Sequence, residues 1–141
     1  MPKSFDYREI PRKEPLKPIR VPTIPVTLKS NGEQLKIVAM VDSGSDLLII
    51  PKGIAEILKL KLDENKKEQV VGLGGGVDSY DTTVTITIPY EHESVALIAH
   101  ARIVLTDVIP PLLGRKGFFE RFEVTINERE KFVKIKDLGK Y

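Results

Sequence analysis

This sequence predicts a mostly β fold, with many short strands closed into a barrel or folded sandwich and one or two small helices. Three observations carry that expectation. Apolar and polar residues alternate over Thr83 to Ile88, with Val84, Ile86 and Ile88 on one face, and the same two-residue period runs through Ile24, Val26 and Leu28. Turn-forming residues such as Asn31-Gly32 separate stretches of this kind at short intervals. Helical spacing of apolar residues is confined to Ile54, Ala55, Ile57 and Leu58, with one or two further turns read over Arg115 to Arg121.

The elements follow in chain order. Prolines at 2, 11, 15, 18, 22 and 25 deny the first 25 residues a helix interior, so 1–21 reads as an extended, proline-rich arm. Residues 22–141 read as one domain. Its first hairpin turns at Asn31-Gly32, a pair suited to a type I′ turn, and returns through Leu35, Ile37, Ala39 and Val41 into Asp42-Ser43-Gly44-Ser45. A short apolar strand, Leu47 to Ile50, precedes Pro51 and the short helix, and the charged run Lys59 to Lys67 reads as a solvated loop. Val70-Val71 leads through Gly72-Leu73-Gly74-Gly75-Gly76-Val77 into the Thr83 to Ile88 strand, a long hairpin with a glycine tip over about 70–83. Val95 to Leu105 is a further strand, and Pro110-Pro111-Leu112-Leu113-Gly114 follows. Phe122 to Ile126 and Lys131 to Ile135 around Asn127 to Glu130 read as a final hairpin, about 122–136.

Composition sets outer bounds. The chain has 141 residues, ten Gly, ten Pro and no Cys. A chain of this size buries roughly two-thirds of the surface its unfolded form exposes, enough for one core without staples. Without Cys there are no disulfides and no thiolate metal sites. With 22 Lys+Arg against 20 Asp+Glu and mixed signs, neither nucleic acid nor an anionic membrane is an expected partner. The longest apolar runs, such as Val95 to Ala99, fall far short of the roughly 20 residues of a membrane span. Met1 to Arg20 carries Asp6, Glu9 and Glu14 and no apolar stretch, so it is not read as a signal peptide, and a reducing, cytoplasmic setting fits.

Asp42 is the first candidate for chemistry because it leaves a buried strand directly into a Ser-Gly-Ser turn. There Gly44 permits tight geometry, and the hydroxyls of Ser43 and Ser45, with nearby backbone N–H groups, can orient a carboxylate. The plain alternative is an Asx turn at a strand end. The glycine segment does not fit a phosphate cradle: it lacks the final Gly of G-x-G-x-x-G and the Lys-Ser/Thr of a P-loop, and a strand follows it where a nucleotide needs a helix N-terminus. His92 and His100 have no Cys partners and read as solvent-exposed, so no metal site is expected.

The order of these features resembles the retropepsin-like aspartic protease family. A hairpin feeds Met40-Val41-Asp42-Ser43-Gly44-Ser45-Asp46, a glycine hairpin comes about thirty residues later, and Leu112-Leu113-Gly114-Arg115 precedes a short helix. The match runs from about Pro22 to about Val124. The resemblance implies a retropepsin-like half-barrel with a flap hairpin, assembled as a two-fold homodimer. It makes Asp42 the catalytic carboxylate, with Ser43 and Gly44 completing the motif and Ser43 bracing the catalytic loops across the dimer. It places Ser45 and Asp46 beside the substrate and Gly72, Leu73, Gly74, Gly75, Gly76 and Val77 at the flap tip. Asp46 and Arg115 match a charged pair linking the loop to the short helix, and Leu112, Leu113 and Gly114 match the buried segment behind the active site. The added Ser45 hydroxyl near the carboxylate is expected to favour its ionised form and a more acidic pH optimum.

The implied activity is endopeptidase cleavage of extended peptide or unfolded protein segments, with no cofactor. Only one Asp-Ser/Thr-Gly is present, since Asp78, Asp81 and Asp107 lack the turn. A homodimer supplies the second carboxylate. Family members interleave short terminal strands at the dimer interface, whereas this chain has a longer arm and an extra charged hairpin, so its interface is expected to be built differently. The rival reading is a catalytically inactive module of the same fold that dimerises or binds peptide. The intact Asp-Ser-Gly and the glycine-rich tip favour the enzyme, because a scaffold has no use for a lid that is entropically costly to order.

Overall fold

The computed structural model describes residues 2–72 and 75–140. The strands are β1 (Lys3–Asp6), β2 (Arg8–Ile10), β3 (Ile19–Val21), β4 (Thr23–Ser30), β5 (Glu33–Val41) and β6 (Leu48–Pro51), followed by helix α1 (Lys52–Ile57). Beyond it come β7 (Lys67–Gly72), β8 (Gly75–Tyr90), β9 (Glu93–Val104), β10 (Leu112–Leu113), β11 (Phe122–Asn127) and β12 (Phe132–Asp137). The fold is mostly β.

Seven strands form the main sheet in the order β4-β5-β10-β6-β9-β8-β7, and β4 also pairs with β8, Leu28 opposite Ile86, which closes the sheet on itself. The two-residue period explains the core. Ile24, Val26 and Leu28 from β4 and Val84, Ile86 and Ile88 from β8 are all at most 2% exposed. Each such side chain contributes on the order of 2 kcal/mol by leaving water. At the β4–β5 turn both Asn31 (φ 53°) and Gly32 (φ 75°) adopt the left-handed backbone that a type I′ turn needs, which is why this pair sits there.

Two local readings shift. The strand expected over Leu47 to Ile50 runs from Leu48 to Pro51, and α1 begins after Pro51 rather than including it. Of the four apolar helix residues, Ala55 and Leu58 are buried, while Ile57 lies on the opposite face and is exposed, because so short a helix covers only one side. Over Arg115–Phe119 the helical turn is interrupted at Lys116 (φ −72°, ψ 131°) and Gly117 (φ 84°, ψ −68°).

The ends of the chain build a second sheet, β1-β12-β11, with Phe5 opposite Val133 and Val124 opposite Ile135. Phe122, Val133 and Ile135 are buried, and the Phe118 and Phe122 rings lie 5.5 Å apart. Arg121 and Asp137 form a two-pronged pair beside this sheet. The proline-rich segment is extended: β2 pairs with β3, residues 11–18 between them are exposed, and Tyr7 beside β2 is buried with its hydroxyl on Glu128 at 3.2 Å.

Candidate active site

Asp42 sits where β5 ends, and three segments hold it there. Its backbone N–H donates to the Leu113 carbonyl at 3.0 Å, its carbonyl accepts from Ser45 N–H at 3.2 Å, and its Oδ1 accepts from Gly44 N–H at 2.8 Å. One carboxylate oxygen is therefore fixed by the turn, while Oδ2 has no hydrogen-bond partner among the described residues. Asp42 is half-buried and Ser43 and Gly44 are exposed, so the loop presents the carboxylate at the surface of the single chain.

The loop's shape comes from β10, which threads between β5 and β6: Leu112 and Leu113 run parallel to Met40 and Val41, and Leu112 lies antiparallel to Ile49. The next residues stitch the loop shut. Arg115 N–H donates to the Ser45 carbonyl and Lys116 N–H to the Asp46 carbonyl, both at 2.8 Å. The Arg115 guanidinium donates through Nη1 to the Ser43 carbonyl at 2.6 Å and through Nη2 to the Asp46 carboxylate. Backbone approaches so closely here that a Cβ on Gly114 would lie 2.3 Å from the Leu47 carbonyl oxygen and 2.6 Å from that of Ser45, so only glycine fits.

Beside the loop opens a cavity of about 510 Å³, lined by Ser45, Asp46 and Leu47 and, across from them, by Ile49, Val70 and Arg102. Its charged strand residues come from β8 and β9, and Arg102 extends the ion pairing to Glu68 on β7, outside the lining. Arg102 on β9 donates to Asp81 on β8 at 2.8 and 3.1 Å and meets Glu68 on β7 at 2.8 Å, and His100 lies 3.8 Å from the other Asp81 oxygen. Another cavity, about 470 Å³, is lined by Thr85, Leu97, Ile98, Gly117 and Arg121 and takes no residue from the loop.

The glycine hairpin is made by β7 and β8, with Gly72 opposite Gly75. Gly75, Gly76 and Val77 lie on β8, while Leu73 and Gly74 lie outside the described residues. The base of the hairpin is tied down: the buried Ser79 hydroxyl donates to the Glu68 carbonyl at 2.8 Å, Lys67 faces Asp78 at 3.5 Å, and the Tyr80 hydroxyl donates to Glu64 at 3.2 Å. Asp78, then Tyr80 and Glu64, raise the Lys67 pKa, so its charge is secured. Burial, then the hydrogen bond to Glu64, raises that of Tyr80.

Of the residues singled out in the sequence, the fold brings Asp42 through Asp46 together with Leu112, Leu113, Gly114 and Arg115. One expectation is corrected. The Ser45 hydroxyl does not support the Asp42 carboxylate: it donates to the Leu47 carbonyl at 2.7 Å, because the turn directs it forward along the chain. Turned away in this manner, it gives no reason for an acidic pH optimum. The Ser43 hydroxyl makes no hydrogen bond to any described residue. Asp107 is a structural cap, accepting from Gly53 N–H at 2.8 Å. Sequence reasoning missed Arg102, Asp81 and Lys116, which line the cavity together with the loop, and Glu68, which pairs with Arg102. The signal for two of them was present, because Asp81 and Arg102 each stand nine residues from the Tyr90–Glu93 pair that closes their hairpin, and so face each other.

No family model matches this sequence, and no curated protein matches it. Solved structures do. A retropepsin-like aspartic protease from Rickettsia conorii superposes with a TM-score of 0.53 at 22% identity, covering 79% of this chain and 88% of that one. EIAV protease, solved with the inhibitor HBY-793, gives a TM-score of 0.40 at 22% identity, over 67% of this chain and 82% of that one. The closed sheet that carries the Asp42 loop is thus the retropepsin-like fold.

Proposed function

We propose that two copies of this chain form an aspartic endopeptidase that cleaves extended peptide segments. The observation that carries this reading is the Asp42 loop within a retropepsin-like fold: Oδ1 is held by Gly44 N–H, Oδ2 is open, and the loop is buttressed by Gly114 and Arg115. A two-fold axis at the loop puts one Asp42 from each protomer roughly 3 Å apart, where the pair shares one proton. The exposed Ser43 hydroxyl is then free to reach the partner's loop.

In the reaction the ionised Asp42 takes a proton from a bound water as its oxygen attacks the peptide carbonyl carbon. The protonated Asp42 of the other copy hydrogen-bonds the carbonyl oxygen and stabilises the tetrahedral intermediate. When the C–N bond breaks, a carboxyl proton goes to the leaving nitrogen. The β7–β8 hairpin acts as the flap, pairing with the backbone of the bound segment and excluding water.

Cleavage of a peptide library between pH 3 and pH 7, comparing the wild type with Asp42→Asn and measuring oligomeric state alongside, tests this. The expected result is a dimer that cuts and a variant that dimerises without cutting. A strict monomer overturns the reading. A dimer that cuts nothing across the range replaces it with a peptide-binding module.

A further inference from the structure

Within the cavity beside the Asp42 loop, the internal ion pairs leave positive charge over. Asp46 is engaged by Arg115, and Asp81 by Arg102 with His100 nearby, so each carboxylate lining the cavity already faces a cation. The remaining lining charge is Lys116. Its ammonium has no partner among the described residues, and its root is fixed by the backbone bond to the Asp46 carbonyl at 2.8 Å. Arg102 adds an open donor edge. It uses Nε and Nη2 on Asp81 and Glu68 and leaves Nη1 without a hydrogen bond to any described residue, and with only 23% of its side chain exposed it is held in place. Glu68 is the weaker of its two partners, 63% exposed and lying outside the cavity lining. Leu47, Ile49 and Val70 supply an apolar lining that suits a short methylene stem.

We propose that this cavity is a specificity pocket for an acidic side chain of the bound peptide, whose carboxylate lies between Lys116 Nζ and the free edge of Arg102. A lysine in the same place would meet Lys116 and Arg102 and be rejected by like charge. The pocket's position rests on the endopeptidase reading, but its charge preference is a binding property and needs no cleavage.

The test therefore measures binding to Asp42→Asn protein at about pH 6, where a peptide glutamate is ionised. The probes are extended eight-residue peptides carrying Glu, Gln or Lys at each position in turn, at low and high salt. At one position Glu is expected to bind roughly tenfold more tightly than Gln, and Lys more weakly still, with the difference shrinking in salt. In Lys116→Glu, an exposed substitution whose folding is checked by circular dichroism, the order reverses toward Lys. Equal binding of Glu and Gln peptides, no binding of any peptide, or a preference unchanged by Lys116→Glu overturns the inference. If the wild type cuts nothing while the acidic peptides still bind best, the endopeptidase reading falls and the pocket stands. If it cuts without any acidic preference, the pocket falls and the endopeptidase stands.

Discussion

Arg115 and Ser43 meet across 72 positions of sequence, guanidinium to backbone carbonyl at 2.6 Å. The same guanidinium holds Asp46, so one planar side chain pins both flanks of the loop that carries Asp42. A lysine has one ammonium on a flexible stem and cannot reproduce the fork. Arg115→Lys is expected to melt within about 3 °C of the wild type, since the side chain is half exposed. Peptide cleavage should nonetheless fall roughly 10- to 100-fold through misplacement of the loop. Calorimetry and kinetics on one preparation check both halves, and full activity in the variant would show that the loop needs no such brace.

Gly114→Ala should fail differently. Its Cβ would collide with two backbone carbonyls, which cannot swing aside as a side chain can. A loss of roughly 2 to 3 kcal/mol in unfolding free energy is expected, with activity lost even where the protein is still folded. Urea titration measures the first and cleavage the second.

Beside the second sheet, pH dependence follows from one pair. The hydrogen bond from Arg121 holds the Asp137 carboxyl below its ordinary value of 3.8, and Asp137 in turn raises the Arg121 pKa. A carboxyl with a lower pKa folded than unfolded binds fewer protons in the folded state. Its stabilisation is complete above about pH 5 and is lost as pH falls through the unfolded and then the folded value. Asp137→Asn should be less stable than the wild type by roughly 1 to 3 kcal/mol at pH 7, with the two curves converging as pH falls through the folded carboxyl's lowered value. Unfolding at a series of pH values reads this directly, and parallel curves would count against it.

The hairpin offers a local test. Ser79 is fully buried, and its hydroxyl ties β8 to the Glu68 carbonyl of β7. In Ser79→Ala, backbone amides of Val70 and Val71 should exchange with solvent roughly fivefold faster, corresponding to about 1 kcal/mol. Unchanged exchange would show that the ladder alone holds the hairpin.

Strands and turns were legible in the sequence because their signals are local. Val84, Ile86 and Ile88 share a face by period alone, and Asn31-Gly32 names its own turn. The Asp42 and Leu112 to Arg115 motifs were legible as a pair through the family resemblance, whereas their contact is long-range geometry that sequence distance alone neither supports nor excludes. What stayed hidden depends on closure. The direction of the Ser45 hydroxyl is set by how the turn folds back on Leu47, and the Glu68–Arg102–Asp81 bridge needs the register of three strands at once. Lys116 carries no local signal, because only the backbone bond from its N–H to the Asp46 carbonyl sets it beside the loop.

The two-residue strand β10 also determines when this molecule acquires its site. Leu112 must find Met40 on one side and Ile49 on the other, so the Asp42 loop has no supporting wall while a nascent chain is still short of residue 115. The β4–β5 hairpin is local in sequence, whereas the β10 contacts close long loops at an entropic cost that slows their formation. In a chain emerging from the ribosome the Asp42 loop thus stays unbraced until residues 112–115 are out, and insertion of β10 completes its wall.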